Sequence, residues 1–371
     1  MSSKKLILIR FGLTRRISLF FIGLYCIFYY SNLAGSNINF NLAGEFGNFS
    51  ADHSLTVNKN DLVLKWRSSL TYQGTNQNSS WSVLAKFLPE FYGVKDANKI
   101  YKFSVGGQYQ KHYTNWQWSI FLSTQKHIYQ TTIENFTLNS FNIGANSLWW
   151  CFPKIFLTYN LHYFYRDIVN TYDQNLDAIF LQTGVGYAYS KYINIEGGLY
   201  LEKFSIKSPD YLELFLSGNN GPISYGEANN NLMEGKSSGW RVGPQLSWKY
   251  QKKFLLNFTY RILSHQSDLL NRPVSEHWLR FIFVKIFSSK LSGLFFMDYY
   301  INQAKLTQQK DYLLAYSPLE NENKIFFKLE RTFSTGRTFY LKSGYLNNSF
   351  KLEDFSIKGW IFVIGFEFNF K

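Results

Sequence analysis

Cysteine is nearly missing from this 371-residue chain; Cys26 and Cys151 are the only two. Cys26 lies in an N-terminal stretch read below as removed, so the mature chain keeps one thiol. That excludes an intramolecular disulfide and a four-cysteine zinc site. Charge is scarce as well. Asp, Glu, Lys and Arg make up 17% of the chain, against roughly 25% in a soluble domain. Long apolar runs are lacking beyond the N-terminus, and a helical membrane protein needs runs of about 20 apolar residues. No tandem repeat is visible, which argues against propellers and solenoids. No Pro-rich or Ser-rich linker divides the chain, so it reads as one domain. There is no nucleophile elbow, His-Glu-x-x-His or phosphate loop. No catalytic, metal or cofactor site is expected.

Aromatic residues are abundant. Phe, Tyr and Trp make up 20% of the chain, yet the mean hydropathy is only −0.21. Alternating strands give this balance when one face meets lipid and the other meets water.

Residues 1–35 read as a cleavable signal peptide. Lys4, Lys5, Arg10, Arg15 and Arg16 form a basic start, Ile17 to Tyr30 is apolar, and Ala34 offers a small residue for cleavage. The formal charge is +14, and with those five removed the mature chain carries +9. Its Lys and Arg are spread singly among strands, so the basic balance does not point to nucleic acid.

The last stretch, Lys358 to Lys371, has a large apolar residue at every second place: Trp360, Phe362, Ile364, Phe366, Phe368 and Phe370. Period two over this length is an extended strand with one apolar face. Gly365, Phe368 and Phe370 give this strand a pattern that resembles the C-terminal strand of bacterial outer-membrane β-barrel proteins. Lys371 departs from it by moving the aromatic one place from the end. The resemblance implies a barrel in the bacterial outer membrane over residues 36–371, with Gly365, Phe368 and Phe370 as an assembly signal. It also implies the barrel assembly machinery, outer-membrane lipids and envelope proteins as partners.

The rest of the mature chain keeps the same rhythm. Sixteen alternating segments can be drawn, from Asn37–Phe49 and Asp61–Gln73, through Ser80–Phe87 and Phe152–Arg166, to Ile357–Phe370. Each is long enough for a tilted strand to cross a bilayer. Connections after even segments are mostly short, as at Leu148–Cys151, Lys191 and Gln251–Lys252; those after odd segments are longer, up to Lys207–Ser238. Spanning barrels have short periplasmic turns and long outer loops. The expected fold is all-β: a single-chain antiparallel transmembrane barrel of about sixteen strands, between fourteen and eighteen.

Charges on the face opposite the apolar rows should line the lumen, because a charge facing lipid at the midplane costs about 2–4 kcal/mol. The candidates are Lys65, Arg67, Lys102, Lys154, Arg166, Arg241, Lys249, Arg261, Lys328 and Lys342, with the acids Glu196, Glu202, Glu330 and Glu367. A basic lumen favours anions. The expectation is a channel for small polar or anionic solutes. The alternative is a non-conducting barrel that serves as a structural or docking component of an envelope secretion or assembly complex. A hydrolase at the outer rim is the weaker third reading. It rests on His265, Ser267, Asp268, Glu276 and His277, placed together on one outer loop.

Overall fold

The computed structural model describes residues 35–53, 61–92, 98–130, 135–169, 174–207, 236–267, 273–302, 323–334, 336–348 and 357–370. The expected leader, up to residue 34, lies outside them, as does most of the long connection 207–238.

Sixteen strands follow one another in chain order: β1 (Gly35–His53), β2 (Asp61–Asn76), β3 (Ser79–Tyr92), β4 (Asn98–His112), β5 (Trp116–Gln130), β6 (Asn135–Phe152), β7 (Ile155–Val169) and β8 (Gln174–Ser190), then β9 (Ile193–Lys207), β10 (Lys236–Gln251), β11 (Phe254–Ser267), β12 (Val274–Ser288), β13 (Leu291–Asn302), β14 (Asn323–Ser334), β15 (Arg337–Asn348) and β16 (Ile357–Phe370). Each pairs antiparallel with its chain neighbours, and β1 pairs with β16 to close a barrel. Closure leaves no unpaired edge, which a sheet needs in order to span hydrocarbon.

The alternation in the sequence becomes an inside and an outside. On β16, Trp360 and Phe362 stand outward at 63% and 52% exposure, with Ile364 and Phe366 exposed beyond them, while Val363 and Gly365 in the alternate places are buried. On β2, Leu62, Leu64, Trp66 and Leu70 are exposed on one face. Rows of exposed rings on so many strands exceed any ordinary soluble surface patch. In hydrocarbon the same rows are the solvated face of the fold.

Even-numbered strands are followed by turns of two or three residues, such as 77–78, 113–115 and 252–253; odd-numbered strands are followed by connections of at least four. Four of the short turns follow a one-residue register shift, at Trp150/Phe152, Ala188/Ser190, Ile286/Ser288 and Thr332/Ser334. Such bulges raise the local twist and turn the strand back tightly. Gly336 adds a φ of 90° at the last of them, a left-handed position that glycine takes without strain.

Two strand ends differ most from the reading of the sequence. β3 does not stop before Pro89 but runs on to Tyr92. Its pairing with β2 is interrupted between Lys65↔Glu90 and Ser68↔Phe87, where Pro89 has no N–H to give. Pro244 sits at a matching gap in β10, between Val242↔Ser264 and Gln245↔Arg261. β6 runs on to Phe152, so the turn is 153–154 instead of 148–151. Pro153 favours that site because its fixed φ suits a turn and it donates to no ladder.

Candidate functional site in the barrel interior

The inward face is polar, charged and partly aromatic, and cross-strand register sets who meets whom. Lys65 and Lys102 converge on the buried Glu90, at 3.4 and 2.7 Å. Arg67 reaches Glu367 at 3.1 Å. Lys328 pairs with Glu330 on its own strand. Arg166 is buried, opposite Ser140 and Leu176. Lys249 shares the face of Asn194 and Asn257 and is exposed. Arg261 donates from Nε to Gln245 at 2.5 Å, reaches Gln182 at 3.5 Å, and lies over the rings of Tyr200 and Trp278, 4.7 and 4.4 Å from their centroids. A guanidinium between two rings is held by cation–π attraction without a carboxylate. Lys342 stands 5.2 Å from the Phe326 centroid and directly opposite Lys328. Lys154 is off this face altogether: it is exposed in the 153–154 turn, because β6 runs through the expected turn to Phe152 and β7 opens only at Ile155.

The interior also holds acids that the alternation did not single out: Glu45, Glu90, Glu276 and Asp298. Asp298 accepts from Arg280 at 2.7 Å and from Trp278 Nε1 at 2.5 Å. Carrying the period of β3 through Pro89 would have found Glu90. On β13 no such signal existed, because Phe295, Phe296 and Met297 make both faces apolar around Asp298.

The most buried polar group is a quartet near the long-loop ends of β9 to β12. Arg241 is 1% exposed and bridges Glu202 at 3.0 Å and Glu276 at 2.8 Å. Glu276 also meets His265 Nδ1 at 2.5 Å, and Tyr200 donates to Glu202 at 2.9 Å. Phe204 underlies both Arg241 and His265. Beside it Leu176, Ala178, Phe204 and Ile206 form a small buried apolar cluster. The grouping of His265, Ser267, Glu276 and His277 on one outer loop is thereby corrected. His265 and Ser267 end β11 and Glu276 opens β12, all three inward, while His277 faces the other way. His277 contacts Tyr260 OH at 2.8 Å and Ser275 Oγ at 3.3 Å on the outer wall. Strand alternation separates neighbours that a loop would have gathered. Asp268 lies outside the described residues.

The third feature is the seam where the barrel closes. Gly365 on β16 is opposite Tyr340 on β15 and opposite Glu45 on β1. The Tyr340 ring crosses over Gly365, and its hydroxyl donates to Glu45 at 2.7 Å. Nearer the chain end, Glu367 accepts from Asn41 at 2.6 Å and from Arg67 at 3.1 Å, so one carboxylate ties β16 to β1 and β2. Outside, Phe370 lies against Phe40, with ring centroids 5.9 Å apart, and Phe368 is opposite Leu42. The seam is thus bonded inside and packed with rings outside.

No sequence family matches the chain, and no curated protein matches it. Among solved structures it is similar to CdiB from Acinetobacter baumannii, at 7% identity and a TM-score of 0.48, over 90% of this chain and 60% of that one. It is similar to the siderophore receptor PirA from Pseudomonas aeruginosa, at 9% identity and 0.40, over 91% and 81%. It is also similar to OccAB3 from Acinetobacter baumannii, at 9% and 0.42, over 90% and 99%. This chain therefore spans less than two thirds of the length of CdiB. Nothing about activity follows from likenesses this distant.

Proposed function

We propose that this protein, a β-barrel of the bacterial outer membrane, is a channel for small polar solutes that favours anions. Its leader would be residues 1–35, and its last strand, through Gly365, Phe368 and Phe370, what the assembly machinery reads. Barrels of 16–18 strands leave an aqueous channel unless they are plugged. The observation that carries the preference for anions is the state of the acids. Of the inward acids, Glu90, Glu202, Glu276, Asp298, Glu330 and Glu367 are each engaged by a Lys or Arg, while Glu45 and Glu196 accept from the hydroxyls of Tyr340 and Thr158 instead. Among the described residues Arg261, Lys342 and Lys249 make no such ion pair. Lys and Arg still outnumber Asp and Glu on the described inward faces, so the lumen charge as a whole is basic. The reading includes no catalytic step.

This reading moves the selectivity to different residues. Lys65, Arg67 and Arg241 are among the charges that the alternation turns inward, yet all three are paired. Their charges belong to the wall, and Arg261 and Lys342 become the groups that set the field in the lumen. The test is conductance of the purified barrel in a planar bilayer, with the reversal potential read across a chloride gradient. Steady open current with chloride preferred over potassium supports the proposal. A folded barrel that stays silent refutes it and leaves the docking role.

A further inference from the structure

Charge outside the lumen is sorted by end. The seven short turns and the strand ends beside them, residues 74–82, 110–118, 148–158, 187–195, 248–257, 284–294 and 331–340, hold not one Asp or Glu. Apart from the inward-facing acids, those of the chain fall in or beside the long connections, such as 208–235 and 303–322. The short-turn end instead carries Lys or Arg in or beside six of its seven turns; only 77–78 goes without.

These cations are tied to rings at the rim. Lys111 lies over Tyr113, Lys191 and Lys252 over Tyr192, Lys285 over Phe287 and Arg331 over Phe333, between 4.9 and 5.5 Å from the centroids. Tyr113, Phe287 and Phe333 are themselves exposed. A flat apolar ring with an ammonium beyond it matches the boundary between acyl chains and headgroups, where long cationic side chains reach for the phosphate level. The arrangement also runs around the barrel from β4 to β14. A soluble protein partner would need one charged side; a lipid leaflet surrounds the whole rim.

We infer that the short-turn rim is a binding collar for anionic phospholipid headgroups, of the phosphatidylglycerol kind, in the leaflet it crosses. By the usual sense of such barrels that is the periplasmic leaflet. Each ammonium pairs with a headgroup phosphate while its ring rests on the first methylenes. The absence of acids from this rim keeps the attraction unopposed. The collar is independent of whether the lumen conducts.

The experiment uses the whole barrel in neutral detergent, exchanged with mixed micelles of phosphatidylglycerol and phosphatidylcholine; retained lipid is counted by native mass spectrometry. The wild type should retain phosphatidylglycerol over phosphatidylcholine by about fivefold per site, the preference one basic residue gives near an anionic surface. Raising the salt to about 0.5 M should abolish the preference by screening. The combined change Lys111→Gln, Lys191→Gln, Lys252→Gln and Lys285→Gln should bring the ratio close to one. If the fourfold variant fails to fold, judged by unheated gel mobility, Lys191→Gln and Lys285→Gln are read singly and should each lower the ratio. A ratio near one in the wild type, or one that these changes leave where it was, overturns the collar.

Discussion

Replacing Gly365 with Ala should open the seam. A Cβ at this position would stand 2.1 Å from Cζ of Tyr340 and 2.5 Å from its hydroxyl. Tyr340 is buried, so its ring cannot swing aside without disturbing neighbours. If the ring stays, the overlap costs about 1–3 kcal/mol, the usual range for overpacking. If it moves, its bond to Glu45 is lost, and a hydrogen bond to a charged group contributes about 1.5–3 kcal/mol. The two losses are alternatives more than a sum, because moving the ring relieves the overlap. The expected destabilisation is therefore about 2–3 kcal/mol. Tyr340→Phe removes only the bond and should cost the smaller part of this. In Gly365→Ala combined with Tyr340→Ala the overlap has no partner, so the two changes should be strongly non-additive, as expected of residues in contact. Urea unfolding of the barrel in detergent, followed by Trp fluorescence and by the gel shift of unheated samples, measures these variants and Tyr340→Ala alone. Additive costs, or a Gly365→Ala variant within about 0.5 kcal/mol of wild type, the range of an ordinary surface change, would refute the crossing of ring over glycine as a closing device.

Arg241→Gln should destabilise the barrel by about 3–5 kcal/mol, since it leaves Glu202 and Glu276 buried without their cation; adding Glu276→Gln should restore part of this in the same urea series. Lys342→Gln with Arg261→Gln should lower chloride-over-potassium selectivity while the barrel stays folded, whereas Lys65→Gln with Arg67→Gln should leave selectivity nearly unchanged and cost stability. Reversal potentials set beside unfolding curves distinguish the two pairs, and equal selectivity loss in both would sink the assignment. Deleting Phe370 and Lys371 should remove the ring that lies against Phe40 and leave periplasmic, protease-sensitive chain; normal surface levels of the truncated protein would count against that role for the last strand.

The strand count and the parity of the turns were legible because they depend on local signals. Period two and turn chemistry are written within a few residues. Where such a signal was ambiguous, the reading slipped by a few places. Pro89 looked like a stop, since proline removes a ladder donor. A closed barrel with no free edge tolerates it at a gap in pairing instead. Trp149, Trp150 and Cys151 looked like an interfacial turn, while Pro153 had the better claim. The face of most charges was also legible, since alternation fixes it once a strand is placed.

What each charge does there was not legible, for a physical reason. Arg67 and Glu367 are 300 residues apart in sequence and meet only because β1 closes against β16. Arg241 and Glu276 sit two strands apart and meet across β11. Such pairings depend on register between strands, and no single strand's pattern carries register. The consequence reaches function. A sequence-level sum of lumen charge treats Arg67 and Lys342 as equals. In the folded barrel the first is neutralised by Glu367, and the second faces Lys328 with an aromatic ring beside it. Solute selectivity then depends on the small unpaired remainder rather than on the many basic side chains, so one substitution at an unpaired site should shift it more than several at paired ones.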